Sequence, residues 1–146
     1  MADHETVSAR TRTARPPRDL WRSMVKGWSG RCPHCADGKL FRAFLKPVDT
    51  CSSCGEEMHH HRADDLPPYL VIFIVGHVVV AGYMLSEPFF DWNSWQHLAL
   101  WIPVTLVMAL IMIQPIKGAV IGLQWANYMH GFGGEDEDAV EIYGGR

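Results

Sequence analysis

Residues 69–86 read YLVIFIVGHVVVAGYMLS, a stretch of 18 residues that carries no formal charge. As an α-helix this stretch would be about 27 Å long, close to the ~30 Å thickness of the hydrocarbon core of a bilayer. A second uncharged stretch, LALWIPVTLVMALIMIQPI, occupies residues 98–116. A soluble helical hairpin is the alternative, but a chain of 146 residues offers too little other protein to bury two such helices. We therefore predict a membrane α-helical hairpin with two transmembrane helices in the lipid bilayer.

Charge is distributed unevenly along the chain. Of the 13 Lys and Arg residues, 11 lie at or before Arg62. Between residues 66 and 129 the only formal charges belong to Glu87, Asp91 and Lys117. This distribution excludes a single soluble globule, and a hydrophobic content of 48% excludes a chain that is disordered throughout.

The loop between the two spans, residues 87–97, predicts the orientation of the hairpin. It reads EPFFDWNSWQH, with aromatic residues typical of a membrane interface and without Lys or Arg. The opposite ends of the spans are flanked by Arg62 and Lys117. Because positively charged flanks stay in the cytoplasm, we expect both termini inside the cell and the loop outside. The first 20 residues contain no apolar segment of the secretory type, so we expect no signal peptide.

All 4 cysteines of the chain fall in one pattern, C-x2-C-x15-C-x2-C, which is typical of a four-thiolate zinc site. Two residues between the cysteines of a pair allow one tight turn to direct both sulfur atoms at the same ion. Structural disulfides are the alternative, but the expected cytosolic location keeps thiols reduced. We predict a closed structural zinc site, with iron as the alternative metal, and its ligands are Cys32, Cys35, Cys51 and Cys54.

The segment that holds the cysteines, residues 28–58, has too few apolar residues to fold alone, so metal binding is expected to stabilise a small β-type zinc ribbon. Gly55 follows the second cysteine pair and provides a permissive backbone for its turn. After the first pair the same position is Ala36, and the next glycine is Gly38. The preceding residues 19–28 have apolar side chains at helical spacing. We predict an amphipathic helix that either packs on the ribbon or lies on anionic lipid.

The part of the chain after the second span admits two interpretations. We assign residues 117–130 to an interfacial helix, although the same residues could extend the second span instead. Gly118 and Gly122 form a G-x-x-x-G pair, which permits close helix contact unless it faces lipid by coincidence. The resulting segments are a disordered arm (1–18), an amphipathic helix with the zinc ribbon (19–65), a transmembrane hairpin with a C-terminal interfacial helix (66–130) and an acidic disordered tail (131–146).

Several of these elements together resemble a known bacterial family. They are CPHCADGKLF from residue 32, CSSCG from residue 51, an apolar span, a short Trp-containing loop, LWIPVTL from residue 100 and PIKGAVIGLQW from residue 115. The combination resembles the domain of unknown function number 983. The chain departs from the family at Ala36, where glycine is more frequent, and this departure leaves the ligand set intact.

The resemblance implies a protein of the bacterial inner membrane with a zinc-ribbon-like head and no established activity. Members of the family are often encoded beside genes for cytochrome c oxidase subunits and assembly factors. The resemblance therefore implies a part in the biogenesis of this respiratory complex, with oxidase subunits or assembly factors as partners.

Four histidines outside the cysteine pattern could bind a metal or a cofactor. His77 lies near the middle of the first span, where an ionisable side chain usually faces protein. A hydrogen bond to the second helix is one interpretation, and a haem, copper or quinone contact together with Met108 and Met112 is the other. The run His59, His60 and His61 follows the ribbon, and it could bind metal or serve as a hydrophilic linker.

The sequence favours a non-enzymatic function. No phosphate-binding loop, catalytic dyad or nucleophile elbow is present, so we assign no catalytic residue. Residues 1–68 carry 11 basic and 9 acidic side chains, too small an excess to attract nucleic acid. We expect a membrane-anchored structural-zinc protein whose cytosolic ribbon docks a membrane-protein partner. The alternative is a thiolate carrier of metal or electrons, which holds iron or passes copper at the membrane.

Overall fold

The protein is described here from a computed structural model that covers residues 16–60 and 65–132. The expected disordered arm up to residue 15, the acidic tail from residue 133 and His61 lie outside the described residues. Along the chain the elements are α1 (Leu20–Trp28), β1 (Phe41–Ala43), β2 (Lys46–Pro47), α2 (Leu66–Ser86), a 3-10 turn (Glu87–Phe89) and α3 (Ser94–Ala126).

Helices α2 and α3 form the predicted hairpin. Two segments, Leu66–Phe89 and Ser94–Ala126, are long and apolar enough to cross a membrane. Helix α2 begins with Pro67 and Pro68, which suit a first turn because its N–H groups have no partner within the helix. Helix α3 begins at a capping box. The Asn93 side chain accepts from the Gln96 N–H at 3.0 Å, and the Gln96 side chain accepts from the Asn93 N–H at 2.9 Å.

Helix α3 continues without a break for 33 residues, through Pro103 and Pro115. Its length of about 50 Å exceeds the ~30 Å hydrocarbon core by about 20 Å. Residues 117–126 continue α3 without a break, which agrees with the alternative of a longer second helix, and their position relative to a membrane stays a prediction. Residues 117–126, the extension of α3, bury most of their apolar and small side chains, and α1 packs against α3 there.

Helix α1 crosses the extension of α3 at small residues. A Cβ atom at Gly118 would overlap the carbonyl oxygen of Gly27, and one at Gly122 would overlap the carbonyl oxygen of Ser23. The two helix backbones are therefore in direct contact, and α1 is the partner of the predicted G-x-x-x-G pair.

The remaining faces of α1 contact the ribbon and solvent. The Lys26 ammonium donates to the carbonyl oxygens of Pro33 at 3.2 Å and His34 at 2.8 Å. This contact agrees with the interpretation that α1 packs on the ribbon. Trp21 and Trp28 are exposed, so this apolar surface remains available for lipid or for a partner.

The ribbon contains little regular structure. Strands β1 and β2 form a two-stranded antiparallel hairpin in which Phe41 pairs with Pro47. Leu40 precedes this hairpin in the sequence and Met58 follows it, and both side chains are fully buried. The buried cluster continues into the adjoining ends of the long helices, and its larger members there are Val71, Val75, Ile116, Val120, Ile121 and Trp125.

The close contact between α1 and α3 leads to a prediction about the stability of glycine variants. Replacing Gly118 by alanine should lower the free energy of unfolding by about 1–3 kcal/mol, because the added methyl group must push two backbones apart. Gly76→Ala is the matched control, since a Cβ atom at Gly76 in α2 meets nothing within 4 Å. Thermal unfolding of the purified chain in detergent checks the difference. Equal stability of the two variants would contradict the close contact.

Candidate metal centre

The four cysteine sulfur atoms converge on one point. The Sγ atoms of Cys32 and Cys54 lie 3.8 Å apart, and so do those of Cys35 and Cys51. All four sulfur atoms lie within 4.8 Å of one another. A tetrahedral ion with metal–sulfur bonds of ~2.3 Å places its ligands about 3.8 Å apart, whereas a disulfide requires ~2.0 Å. The four sulfurs therefore fit a single metal ion, with zinc among the ions that four thiolates hold, and they are not paired as disulfides.

The two cysteine pairs sit in matching turns. The N–H of Ala36 donates to the Cys32 carbonyl at 2.9 Å, and the N–H of Gly55 donates to the Cys51 carbonyl at 3.0 Å. Both residues adopt the left-handed backbone conformation, with φ of 68° at Ala36 and 75° at Gly55. Alanine therefore takes the conformation that glycine adopts in the second turn, although its Cβ atom makes this conformation unfavourable.

Gly38 brings the two turns close enough to share an ion. A Cβ atom at Gly38 would overlap the Sγ atom of Cys51. The Gly38 carbonyl also accepts from the N–H of Cys32 at 2.9 Å, which closes the first turn. In the second turn the Glu56 carbonyl accepts from the N–H of Cys51 at 2.9 Å. The sequence marks Gly38 only as the next available glycine, whereas the structure gives it a steric role.

The thiols differ in their acidity before a metal binds. Burial raises the pKa of the Cys32 thiol above its ordinary value. The backbone N–H groups of Gly38 and Asp37 lower the pKa of Cys35 to about 6, because they donate to its thiolate. Cys35 is therefore ionised at neutral pH, while Cys32 must lose a proton to the solvent as the ion binds. Metal affinity should accordingly rise with pH.

A cluster of polar and aromatic contacts fixes the ribbon to the end of α3. The indole N–H of Trp125 donates to a Glu56 carboxylate oxygen at 2.8 Å. The Arg18 guanidinium donates to the Trp125 carbonyl at 2.7 Å and lies 3.9 Å from the ring centres of both Trp125 and Tyr128. It also lies 3.8 Å from the Glu56 carboxylate.

These contacts correct the predicted boundary of the disordered arm. Arg18 is ordered by Trp125 and Tyr128, and the Tyr128 hydroxyl donates to the Pro16 carbonyl at 2.6 Å. Composition predicts an arm over residues 1–18, because it does not reveal that Arg18 has a partner 107 residues further along the chain. The residues of the arm nearest to α1 are therefore part of the folded protein.

A second group of possible metal ligands lies beside the ribbon. The Nε2 atom of His60 lies 3.2 Å from a Glu57 carboxylate oxygen, and the ring of His59 stacks on that of His60 at 3.9 Å. The candidate ligand atoms of Glu57, His59 and His60 lie within 4.8 Å of one another. Both interpretations of the histidine run, metal binding and a hydrophilic linker, thus remain compatible with the positions of its described members.

His77 makes its hydrogen bond within its own helix. Its Nδ1 atom lies 2.7 Å from the Phe73 carbonyl oxygen, which can only accept, so Nδ1 carries the proton. The side chain is exposed, whereas Met108 and Met112 are partly buried against the core. The expected hydrogen bond from His77 to α3 is therefore absent among the described residues, because the carbonyl one helical turn away satisfies the ring.

Comparison with known proteins identifies one family. The family model described as "Protein of unknown function (DUF983)" matches residues 41–125, a stretch that contains Cys51 and Cys54 of the four ligands. No curated protein and no solved structure matches the chain.

From the left-handed conformation of Ala36 we predict how a glycine at this position changes stability and metal affinity. Ala36→Gly should stabilise the ribbon by about 1 kcal/mol, because glycine adopts positive φ without steric cost and loses only part of this gain through its more flexible unfolded state. Since we expect folding of the ribbon to be coupled to metal binding, the variant should hold the ion about fivefold more tightly in competition with a chelator. Gly55→Ala makes the opposite change at the equivalent position of the second turn, and it should weaken metal binding. The same affinity in both variants and the wild type would disprove the shared turn geometry.

Proposed function

The chain belongs to the family of proteins of unknown function DUF983, and on this basis we propose that it is a membrane-anchored docking protein. Its metal-bound ribbon presents a fixed surface to a membrane-protein partner. The observation that carries this proposal is the closed set of four thiolates, which leaves no coordination position for a substrate or a water molecule. The metal then stabilises the shape of the ribbon, and the protein is not an enzyme.

Insertion of the hairpin into a bilayer is supported by its apolar exterior. Only 11% of the most apolar window of the first segment and 6% of that of the second are buried. Ile72, Phe73 and Ile111 expose about two thirds or more of their surface. The core helices of a soluble protein would be mostly buried, so these side chains need lipid around them.

The orientation that we propose follows from the charges at the two ends of the hairpin. Lys117 lies on the extension of α3, at the end where the ribbon with its Lys and Arg side chains is packed. The opposite end carries Glu87 and Asp91 and no basic residue. We therefore place the ribbon in the bacterial cytoplasm, where thiols stay reduced, and the hairpin in the inner membrane.

Reporter fusions test this orientation. A phosphatase that is active only outside the cytoplasm should be active when it is fused after Asn93 and inactive when it is fused after Val25. A cytoplasmic fluorescent reporter should show the reverse pattern. Phosphatase activity at Val25 would place the cysteines in an oxidising compartment, which contradicts a reduced thiolate site.

The surface next to the metal suits a protein partner. Trp21, Val25 and Trp28 are exposed on α1, and their spacing places them along one side of the helix. Phe44 is exposed in the turn between the two ribbon strands. Exposed aromatic side chains on a rigid support are typical of the central residues of protein interfaces. The contacts of α1 with α3 supply that rigid support next to the membrane.

The family association suggests the identity of the partner. We propose that the ribbon binds a subunit or an assembly factor of cytochrome c oxidase, because genes of this family often lie beside genes for that complex. Binding would hold the partner at the cytoplasmic face of the membrane while the oxidase is assembled. The chain would then be an accessory protein that is absent from the catalytic steps of respiration.

Deletion of the gene tests the proposal. Assembled cytochrome c oxidase, measured by its haem a absorbance, should fall while other respiratory complexes stay normal. The wild-type chain and the Gly76→Ala variant should restore it, and Cys51→Ser should not, because three thiolates no longer complete the site. Normal oxidase levels in the deletion strain, under both copper-replete and copper-limited growth, would exclude this function.

A thiolate carrier is the second candidate, and the exposure of Cys54 favours it. Cys32 and Cys51 are buried, whereas Cys54 is exposed and could be reached by an incoming thiol that takes over the ion. Optical spectra and voltammetry of the purified chain separate the two candidates. Colourless protein without a redox transition indicates structural zinc, and thiolate-to-iron absorption bands or copper uptake indicate a carrier.

A further inference from the structure

The hairpin contains a cavity at the end that lies away from the ribbon. Its volume is about 620 Å³, and it is formed where α2 ends, the 3-10 turn follows and α3 begins. This volume falls in the range of ~300–1,000 Å³ that small-molecule sites occupy. The cysteines, the ribbon and the docking surface proposed above have no part in it. The cavity therefore needs a separate explanation.

Aromatic rings build one wall of this cavity. Phe90 stacks on Trp92 at 4.8 Å, Trp92 packs on His97 at 5.5 Å, and His97 meets Tyr83 edge to face at 5.1 Å between ring centres. Trp101 lines the cavity from α3, and its ring fills the space that a side chain at Gly82 would need. These contacts join the loop to both helices and hold the aromatic wall in place.

The charge in the cavity is negative. Glu87 and Asp91 both line it, and neither forms an ion pair with any residue in 16–60 or 65–132. The sequence contains no Lys or Arg between residues 63 and 116. Two carboxylates beside aromatic rings, with no basic side chain near them in the sequence, attract a cation from outside the chain.

Two buried polar atoms in the wall also lack a partner. Nδ1 of His97 and Nε1 of Trp101 are shielded from solvent and form no hydrogen bond within the described part of the chain. Because water does not reach either atom, a ligand in the cavity contacts them only if the lining side chains move, so the attraction for a ligand comes from the rings and the carboxylates.

The lining suits an organic cation better than a compact metal ion. The possible donor atoms of Glu87, Asp91 and His97 do not form a group within 4.8 Å of one another, whereas the four cysteines do. With the side chains in these positions, a compact ion is not coordinated by all three at once. An organic ammonium group can contact aromatic rings and carboxylates over several ångströms, as cation–π sites do.

We propose that this cavity binds an organic ammonium group, either the headgroup of a zwitterionic phospholipid or a free ammonium compound such as choline. The aromatic rings and the two carboxylates that line the cavity contact the cation. The cavity lies at the end of the proposed membrane spans, where the headgroups of a bilayer are located. Only the lipid source depends on the proposed membrane insertion.

Binding of choline to the full-length chain tests the proposal. The protein is purified in a sugar-headed detergent, which carries no ammonium group, and is titrated by calorimetry with choline and with 3,3-dimethylbutan-1-ol. The latter is a neutral molecule of the same shape. Choline should bind saturably and the neutral molecule should not, because the cation supplies the attraction. Absence of saturable choline binding, or equal binding of both compounds, would overturn the proposal.

Two variants locate the binding in this cavity. Asp91→Asn should weaken choline binding about fivefold or more, because it removes one of the two charges without changing the size of the side chain. Trp95→Phe should leave binding unchanged, since Trp95 is 80% exposed and does not line the cavity. If the Asn variant binds choline as the wild type does while both melt at the same temperature, the cavity is not the site.

Native mass spectrometry then separates the two sources. Wild-type chain taken from nanodiscs that contain phosphatidylethanolamine, phosphatidylcholine and phosphatidylglycerol should retain the zwitterionic lipids, and Asp91→Asn should lose them. Choline binding without preferential lipid retention would assign the site to a free ammonium compound. The calorimetric result does not depend on the docking function or on the oxidase. Failure of the ammonium-site proposal can therefore be distinguished from failure of the docking proposal.

Discussion

Mutual repulsion of four thiolates is the constraint on which the N-terminal half of the protein depends. Four sulfur atoms within 4.8 Å of one another cannot all be ionised unless a cation lies between them. Among the described residues of the ribbon, the larger fully buried side chains are those of Cys32, Pro33, Leu40 and Met58, which are too few to hold the turns together. We therefore expect a bound metal ion to supply much of the free energy that folds this part of the chain.

The position of the ribbon depends in turn on the helical hairpin. The part of α3 after residue 116 gives α1 a glycine surface to cross and gives Glu56 an indole partner in Trp125. Arg18 closes the same contact from the other side of the indole ring. The candidate metal site is thus fixed to the end of α3, and in the proposed membrane arrangement a partner that binds the ribbon would be held close to the bilayer.

The sequence alone predicts the features that depend on composition or short spacing. The two spans follow from uncharged length, and the ligands Cys32, Cys35, Cys51 and Cys54 follow from two C-x2-C pairs. It does not predict the partner of Gly118 or the role of Arg18, because these contacts join residues about 90 to 107 positions apart. The tautomer of His77 likewise depends on the backbone of its own helix, which periodicity does not describe.

The central claim is that one metal ion is held by all four cysteines. X-ray absorption spectroscopy of the full-length chain, purified from membranes under reducing conditions with its metal content measured, tests it most directly. The account predicts one zinc ion per chain with four sulfur ligands at ~2.3 Å. Metal-free protein with the cysteines joined as disulfides, or an ion with fewer than four sulfur ligands, would contradict it.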